Sequence, residues 1–304
     1  MKSLSILGMF VADLSFFGRI PKKGETVMCD ELVIGPGGKG SNQSVAAAKS
    51  GAHVSFISKI GNDDYGKMAK KMYLETNIGT KNLFVEEKTT TGVAAILLDK
   101  ESGDNAISVV TGAVGALTID DINVAEEEIK DSSFFLTQLE TPIEPTIHAL
   151  KIAKKHNVVT ILNPAPAAKL DKEVFPLIDY FTPNETEASF YVNKEIANEQ
   201  DARIASKDLL DLGIKNVVIT LGEKGAYYEN KDENHFIPAL ELGNRVVDTS
   251  GAGDAFNGAF AAALCEDKKT IEALKFANTY AGISTTRVGT AKSMPMREEI
   301  EKLL

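Results

Sequence analysis

An apolar pair, Val246-Val247, runs into Asp248-Thr249-Ser250-Gly251-Ala252-Gly253-Asp254, and small residues follow as far as Leu264. This order of residue types predicts a strand end, a glycine turn and a helix over about 252–264. The first turn of a helix presents unpaired N–H groups and about half a positive charge. Glycines let the backbone come close to an anion. Such a turn would hold a developing phosphate charge without a basic side chain. Asp254 falls in the same turn, where a carboxylate can accept the proton of an attacking hydroxyl. The plainer alternative is that Asp254 only complements the helix dipole and the glycines only shape the turn.

Three further segments carry polar groups at places where ligands bind. Gly35-Pro36-Gly37-Gly38-Lys39-Gly40-Ser41-Asn42-Gln43 leads into a helix expected over 44–49. Lys39 and Asn42 are of the kind that orients hydroxyls. The glycine spacing is neither that of a Walker A loop nor Gly-x-Gly-x-x-Gly. A turn with a helix cap would look the same. In Thr182-Pro183-Asn184-Glu185-Thr186-Glu187, Asn184 is placed to cap a helix with Glu187 at the third helical position. The same pair could instead hold a hydrated magnesium near phosphates. Thr220-Leu221-Gly222-Glu223-Lys224-Gly225-Ala226 ends a strand in a glycine turn, and Gln138-Leu139-Glu140 ends another with a carboxylate. Both fall at the expected carboxyl edge of a sheet, where α/β folds bind nucleotides.

The elements that must position these groups alternate. Strands are expected at Ser3–Leu7, 54–57, 134–136, 158–162 and Asn216–Thr220, and helices at 63–76, 143–156 and 201–212. This order predicts an α/β fold with a mostly parallel sheet and helices on both faces. Two stretches, 25–34 and 83–110, read as β segments without long helices. Their turns are Thr89-Thr90-Thr91-Gly92 and Glu101-Ser102-Gly103-Asp104. They suggest a small β lid, or else edge strands. No repeat or linker divides the chain. The expectation is one domain over 1–304, with an α/β core at about 1–12, 35–84 and 111–304 and a lid at about 13–34 and 85–110.

Composition narrows the class. The 304 residues are 43% hydrophobic and 25% charged, with a formal net charge of −10. A chain of this length can bury a large core, and its composition is not that of disorder. An acidic balance excludes a general nucleic-acid binder, since phosphate backbones select basic surfaces. Cys29 and Cys265 build no disulfide framework, and the four histidines are scattered. No apolar run approaches the ~18 residues of a membrane span. The opening residues could mimic a signal peptide, but Asp13 follows at once without a small-residue cleavage site, so a first buried strand is the better reading. The expected location is the cytoplasm.

Taken together the segments resemble one family, the ribokinase-like, or PfkB, carbohydrate kinases. The similarity spans nearly the whole chain. It rests on Gly37-Gly38-Lys39-Gly40 with Asn42-Gln43, Gln138-Leu139-Glu140, and Leu162-Asn163-Pro164-Ala165-Pro166-Ala167. It continues through Pro183 to Glu187, Thr220-Leu221-Gly222, the Asp248 to Asp254 block, and Thr286-Arg287 with Gly289 and Pro295. The ribokinase branch is the nearest in appearance.

The resemblance implies a three-layer α/β/α core with a β lid that joins two copies into a homodimer. It also implies transfer of the ATP γ-phosphate to the 5-hydroxyl of D-ribose. By the same resemblance Asp254 is the base, and the backbone of Gly251, Ala252 and Gly253 is the anion hole. Sugar contacts fall on Val11, Asp13, Gly37, Gly38, Lys39, Asn42, Glu140 and Asp254. Asn184, Thr220, Gly222, Gly225, Gly253 and Asn278 fall at the nucleotide, and Glu187 supports magnesium indirectly. A monovalent cation, potassium, is implied at Asp248, Ser250, Ser284, Arg287, Gly289 and Ser293, several through backbone carbonyls.

Two positions depart from the pattern. Val11 and Val114 stand where ribokinases usually carry Asn. Val11 cannot hydrogen-bond a sugar hydroxyl, and an unpartnered buried hydroxyl costs ~1–3 kcal/mol. The deoxyribokinase branch also has an apolar residue at that point, which makes 2-deoxyribose the alternative substrate. Another sugar or nucleoside kinase of the family, a non-catalytic sugar sensor and an NAD-dependent oxidoreductase are the rival readings. The last lacks Gly-x-Gly-x-x-Gly after the first strand.

Overall fold

Apolar side chains alternate along the central strands, and both alternating sets are buried, as in strands covered on both faces. A computed structural model of the chain describes residues 2–99, 102 and 104–304. Its strands are β1 (Ser3–Leu7), β2 (Val11–Phe17), β3 (Glu31–Gly37), β4 (His53–Gly61), β5 (Leu83–Glu86), β6 (Thr91–Leu98), β7 (Asn105–Gly112), β8 (Phe134–Thr137), β9 (Val159–Leu162), β10 (Tyr180–Phe181), β11 (Asn216–Thr220), β12 (Gly225–Asn230) and β13 (Asn234–Pro238). Its helices are α1 (Lys39–Lys49), α2 (Asp64–Glu75), α3 (Ile119–Val124), α4 (Glu126–Lys130), α5 (Ile143–Lys155), α6 (Glu185–Val192), α7 (Glu199–Leu210), α8 (Ala252–Cys265), α9 (Thr270–Ser284) and α10 (Arg297–Glu301).

Nine strands form one sheet in the order β13-β12-β11-β10-β9-β8-β1-β4-β5. From β11 to β5 every neighbour pair is parallel, and β12 and β13 add an antiparallel hairpin at the edge. Parallel neighbours need long crossovers, which the helices supply. Leu4, Ile6, Phe56, Leu136 and Val218 face a core shared with α1, α2, α8 and α9. Leu7, Ile57, Phe135, Val217 and Ile219 face a second core shared with α5 and α7. The chain runs from β1 to β4 on one side and later to β8 on the other. The carboxyl ends of β1 and β8 therefore flank the switch point of the sheet, the usual place for a ligand crevice.

A second sheet of four strands has the order β3-β2-β6-β7. Its composition corrects three sequence expectations. β2 starts at Val11, so Val11 and Ala12, expected in the core, lie on the small sheet with Asp13. Strand structure in the 25–34 stretch begins only at Glu31. Leu83–Glu86 belongs to the large sheet, because β5 pairs in parallel with β4, Ser58 beside Leu83. The physical reason is local ambiguity: a short apolar run has the same pattern in either sheet. Of the expected turn 101–104, residues 101 and 103 lie outside the described residues.

α1 also starts earlier than the expected 44–49. Gly38, with φ 92°, caps it, and Lys39 is its first residue. Glycine and small polar residues have weak helix propensity, which hid this turn. Packing overrides propensity here. A Cβ on Gly40 would lie 2.5 Å from the Gly8 Cα, so the two glycines let the start of α1 press against the end of β1.

Candidate active site

The end of β1, the start of α1 and the start of α8 converge at the switch point. Three first-turn residues of α1, Lys39, Asn42 and Gln43, are spaced i, i+3 and i+4 and so share one face. Asp254, the third residue of α8, is 7% exposed. Its Oδ2 accepts a hydrogen bond from Asn42 Nδ2 at 3.0 Å, and its Oδ1 accepts one from Gln43 Nε2 at 3.1 Å. The Lys39 ammonium is held above its usual pKa chiefly by the negative charge of Asp254. The Lys39 backbone N–H donates to Glu140 Oε2 at 2.8 Å, which places the Glu140 carboxylate at the same corner.

Asp13 reaches this corner from the small sheet. Gly37 is the position that makes room for it, since a Cβ there would lie 2.2 Å from its carboxylate oxygens. Burial, reinforced by Asp254, pushes the Asp13 carboxyl up to about 6. Burial also pushes Glu140 up to about 7, against the pull of Lys39. Asp254 is raised by burial, and Lys39, Asn42 and Gln43 oppose that rise. Three carboxylates around one ammonium is an arrangement built to hold hydroxyls and take a proton, at a cost in stability. Asn42 Oδ1 is buried with no hydrogen-bond partner among the described residues, an acceptor that a substrate hydroxyl would satisfy.

The glycine turn lies beside Asp254. Gly251 has φ 75° and caps α8, and the first intrahelical bond runs from Ala255 N to Gly251 O at 2.8 Å. The N–H groups of the helix start before Ala255 thus have no acceptor within the helix. That of Ala252 leans on the Thr249 carbonyl at 3.2 Å.

The residues expected at a nucleotide lie farther along the same sheet edge. Asn184 and Thr220 form an isolated parallel bridge. Gly222 and Gly225 take φ 54° and 123° in the turn between β11 and β12. Asn278 donates from Nδ2 to the carbonyls of Ile237 at 2.9 Å and Pro238 at 3.3 Å, and β13 pairs Pro238 with Gly225. Asn184 is also a helix cap with Glu187 in a reciprocal capping box. Glu187 accepts from the Asn184 backbone at 2.9 Å and is itself raised by burial. Among the described residues no cluster of three or more metal-ligating side chains exists. A magnesium ion here would keep its waters and phosphate ligands, which fits an indirect role for Glu187.

The expected cation residues are only partly brought together. Asp248 accepts from Ser250 N and Gly289 N, both at 2.8 Å, and so ties the loop before α8 to the loop after α9. The side chains of the other three are turned to other partners. Ser284 donates to Ala281 O at 2.7 Å, Ser293 donates to Thr290 O at 2.7 Å, and Arg287 pairs with Glu299. What remains for a cation is the Asp248 carboxylate and backbone carbonyls, and oxygen donors of that kind suit a monovalent ion.

Val11 lies on the same face of β2 as Asp13, two residues away. It is 3% exposed and packs with Met9, Ala94 and Val114. The two departures from the expected pattern are therefore one apolar patch.

Sequence reasoning gave no role to Gln43, Gln138, Asn163 or Thr290. Gln43 Nε2 donates to Asn163 Oδ1 at 3.1 Å, Gln138 Nε2 donates to Gln43 Oε1 at 2.6 Å, and the Thr290 hydroxyl donates to the Pro36 carbonyl at 3.2 Å, next to Gly37. A signal existed for two of them: Gln138 and Asn163 follow β8 and β9 directly, at the ligand-binding edge.

Residues 1–297 match the pfkB family of carbohydrate kinases. The chain is similar to a ribokinase of Haemophilus influenzae, 40% identical over 307 residues, covering 100% of this chain and 98% of the other. It is similar to a deoxyribokinase of Salmonella typhi, 35% identical over 303 residues and covering 99% and 98%. Its fold is similar to that of Arabidopsis thaliana ribokinase complexed with ribose and ATP, with a TM-score of 0.90, 29% identity and coverage of 99% and 98%.

Proposed function

Because the chain belongs to the pfkB family of carbohydrate kinases and phosphorylates a sugar with ATP, we propose that its substrate is D-ribose and its product ribose 5-phosphate. The observation that supports this best is the buried Asp254 carboxylate, held by Asn42 and Gln43 at the N-terminus of α8. Asp13, Lys39, Asn42 and Glu140 fix the sugar, beside Gly37 and Gly38. Asp254 takes the proton of the 5-hydroxyl as the new O–P bond forms and the bond to ADP breaks. The N–H groups of Gly251, Ala252 and Gly253 take up charge on the transferring phosphoryl group. Phosphoryl transfer depends on such positioning and charge stabilisation. Asn184, Thr220, Gly222, Gly225, Gly253 and Asn278 hold the nucleotide. Glu187 would support a magnesium ion indirectly, which would supply charge neutralisation at the phosphates, and the Asp248 carboxylate with backbone carbonyls of the two loops it ties together would hold a potassium ion. The small sheet acts as a lid that excludes water.

The test is ADP release with D-ribose and 2-deoxy-D-ribose titrated side by side at fixed ATP, magnesium and potassium. A kcat/KM favouring ribose by about tenfold or more, ~1.4 kcal/mol, supports the reading, and no turnover of either sugar overturns it.

The apolar patch of Val11 and Val114, together with the deoxyribokinase relative, favours a second reading in which 2-deoxyribose is used equally well or better. Val11→Asn is then expected to raise the ribose-to-deoxyribose ratio of kcat/KM by about 5- to 150-fold, the worth of ~1–3 kcal/mol for partnering a buried hydroxyl. A ratio that does not move would place Val11 away from the sugar.

The lid also offers a surface for a second copy. Register puts Leu14, Phe16, Leu32, Ile34, Ala95 and Leu97 on the face opposite Asp13. Leu32 and Ile34 are 48% and 41% exposed. An apolar sheet face of this extent marks a contact surface. We expect a dimer in light scattering and its conversion to monomer by Phe16→Asp. A monomeric wild type at micromolar concentration would remove this surface from the role.

A further inference from the structure

Gln43 is fully buried and sits between Asp254 and two other amides. Its Nε2 donates to Asp254 Oδ1 and to Asn163 Oδ1, both at 3.1 Å, which uses both of its hydrogens. Its Oε1 accepts from Gln138 Nε2 at 2.6 Å. Asn163 in turn donates from Nδ2 to the Thr182 carbonyl at 2.9 Å. The amides thus run in one direction. Turning Gln43 over would set its oxygen against the Asp254 carboxylate and Asn163 Oδ1, and its nitrogen against that of Gln138. The groups that fix it are one donor, Gln138 Nε2, and two acceptors, Asn163 Oδ1 and behind it the Thr182 carbonyl; they follow the ends of β8, β9 and β10, so the sheet edge itself determines which way Gln43 points.

We propose that Gln43 is a positioning residue for the phosphoryl-transfer base, holding Asp254 ionised and oriented through a one-way relay of buried amides. The inference rests on the kinase reading above. Both recorded side-chain partners of Asp254, Asn42 and Gln43, present N–H groups. Protonating an oxygen sets its O–H against one of these donors, so the relay favours the charged form. The other charged groups facing Asp254 are Lys39 from α1, Asp13 from β2, Glu140 from the segment after β8 and Glu187 from α6. None of them changes when Gln43 is replaced.

The experiment is the pH profile of kcat and of kcat/KM for the full-length chain with Mg-ATP and sugar, comparing wild type, Gln43→Leu and Gln138→Leu. Removing a donor to the charged form raises the pKa of the base. The acid limb of Gln43→Leu is expected to move up by about one pH unit. Its plateau kcat should fall about tenfold from lost orientation, with the sugar KM changed much less. Gln138→Leu leaves Asp254 untouched and should move the limb the same way by a smaller amount. If Gln43→Leu does not fold, Gln138→Leu carries the test alone. A lower kcat with the limb in place in every folded variant means a structural role only and overturns the inference. A wild type that releases no ADP overturns the kinase reading and this inference with it.

Discussion

Asp254→Asn is expected to lower kcat by at least ~10²-fold, the usual range for loss of a general base. The substitution keeps the size of the side chain and removes the only group in the first turn of α8 that can take a hydroxyl proton. It also disturbs the local hydrogen bonds. Asn42 Nδ2 and Gln43 Nε2 both point at carboxylate oxygens, and an amide can offer only one oxygen, so one donor meets another donor. Lys39, whose charged form Asp254 chiefly supports, loses that support. A moderate rise in sugar KM should accompany the fall in kcat.

The pH dependence has a definite sign. In the proposed role Asp254 acts as its carboxylate, and burial raises its pKa. Activity of the wild type therefore declines as pH falls through that raised value. Glu140 at about 7 and Asp13 at about 6 titrate beside it, so the acid limb belongs to the cluster and not to one residue. Residual activity of Asp254→Asn should lose its share of that limb. Steady-state kinetics of the purified variant, with its melting temperature as a control for folding, decide the matter. Turnover near that of wild type would take the base role away from Asp254.

The second large effect concerns a residue without a side chain. Gly258 lies in α8, one turn after Asp254, where a Cβ would come 2.3 Å from the backbone oxygen of Gln43 and 2.7 Å from the Ala46 Cβ. Gly258 therefore sets the distance between α1, which carries Lys39, Asn42 and Gln43, and α8, which carries Asp254. Propensity alone would make a glycine here a loss of ~1 kcal/mol relative to alanine. The clash reverses that sign, because backbone on the opposite helix cannot turn aside. Gly258→Val should destabilise by ~1–3 kcal/mol through overpacking, which lowers the melting temperature by roughly 2–5 °C. Prising the helices apart by a fraction of an ångström to an ångström should lower kcat/KM by up to ~10²-fold. Thermal melts and kinetics on the same preparation check both parts. A lower melting temperature with intact kinetics would mean that the helix spacing is not what aligns base and sugar.

How much of this was legible in the sequence depends on whether a feature is local. The strand Ser3–Leu7 and the strand Asn216–Thr220 were expected at their observed bounds, because short apolar runs with flanking turns are written along the chain. The start of α8 and the Asn184–Glu187 capping box were legible for the same reason: cap, first turn and apolar run lie within a few residues. Asp254 stood out by type and position. The first turn of α1 was not legible, since Gly40, Ser41 and Asn42 are poor helix formers. They are helical only because Gly8 and Gly258, distant in sequence, let α1 lie against β1 and α8.

Chain order and residue type by themselves determined the α/β alternation, the acidic, disulfide-free composition and the motifs that resemble the carbohydrate kinases. Tertiary structure alone decided which polar groups meet. Gln43 bonds Asp254 across 211 residues and Asn163 across 120. Val11 and Val114, two separate departures along the chain, become one patch because β2 and the segment after β7 pack together. Sequence records the preferences of neighbours within a turn or a strand. Contacts between strand ends arise from sheet order and helix spacing, and those depend on the packing of the whole core.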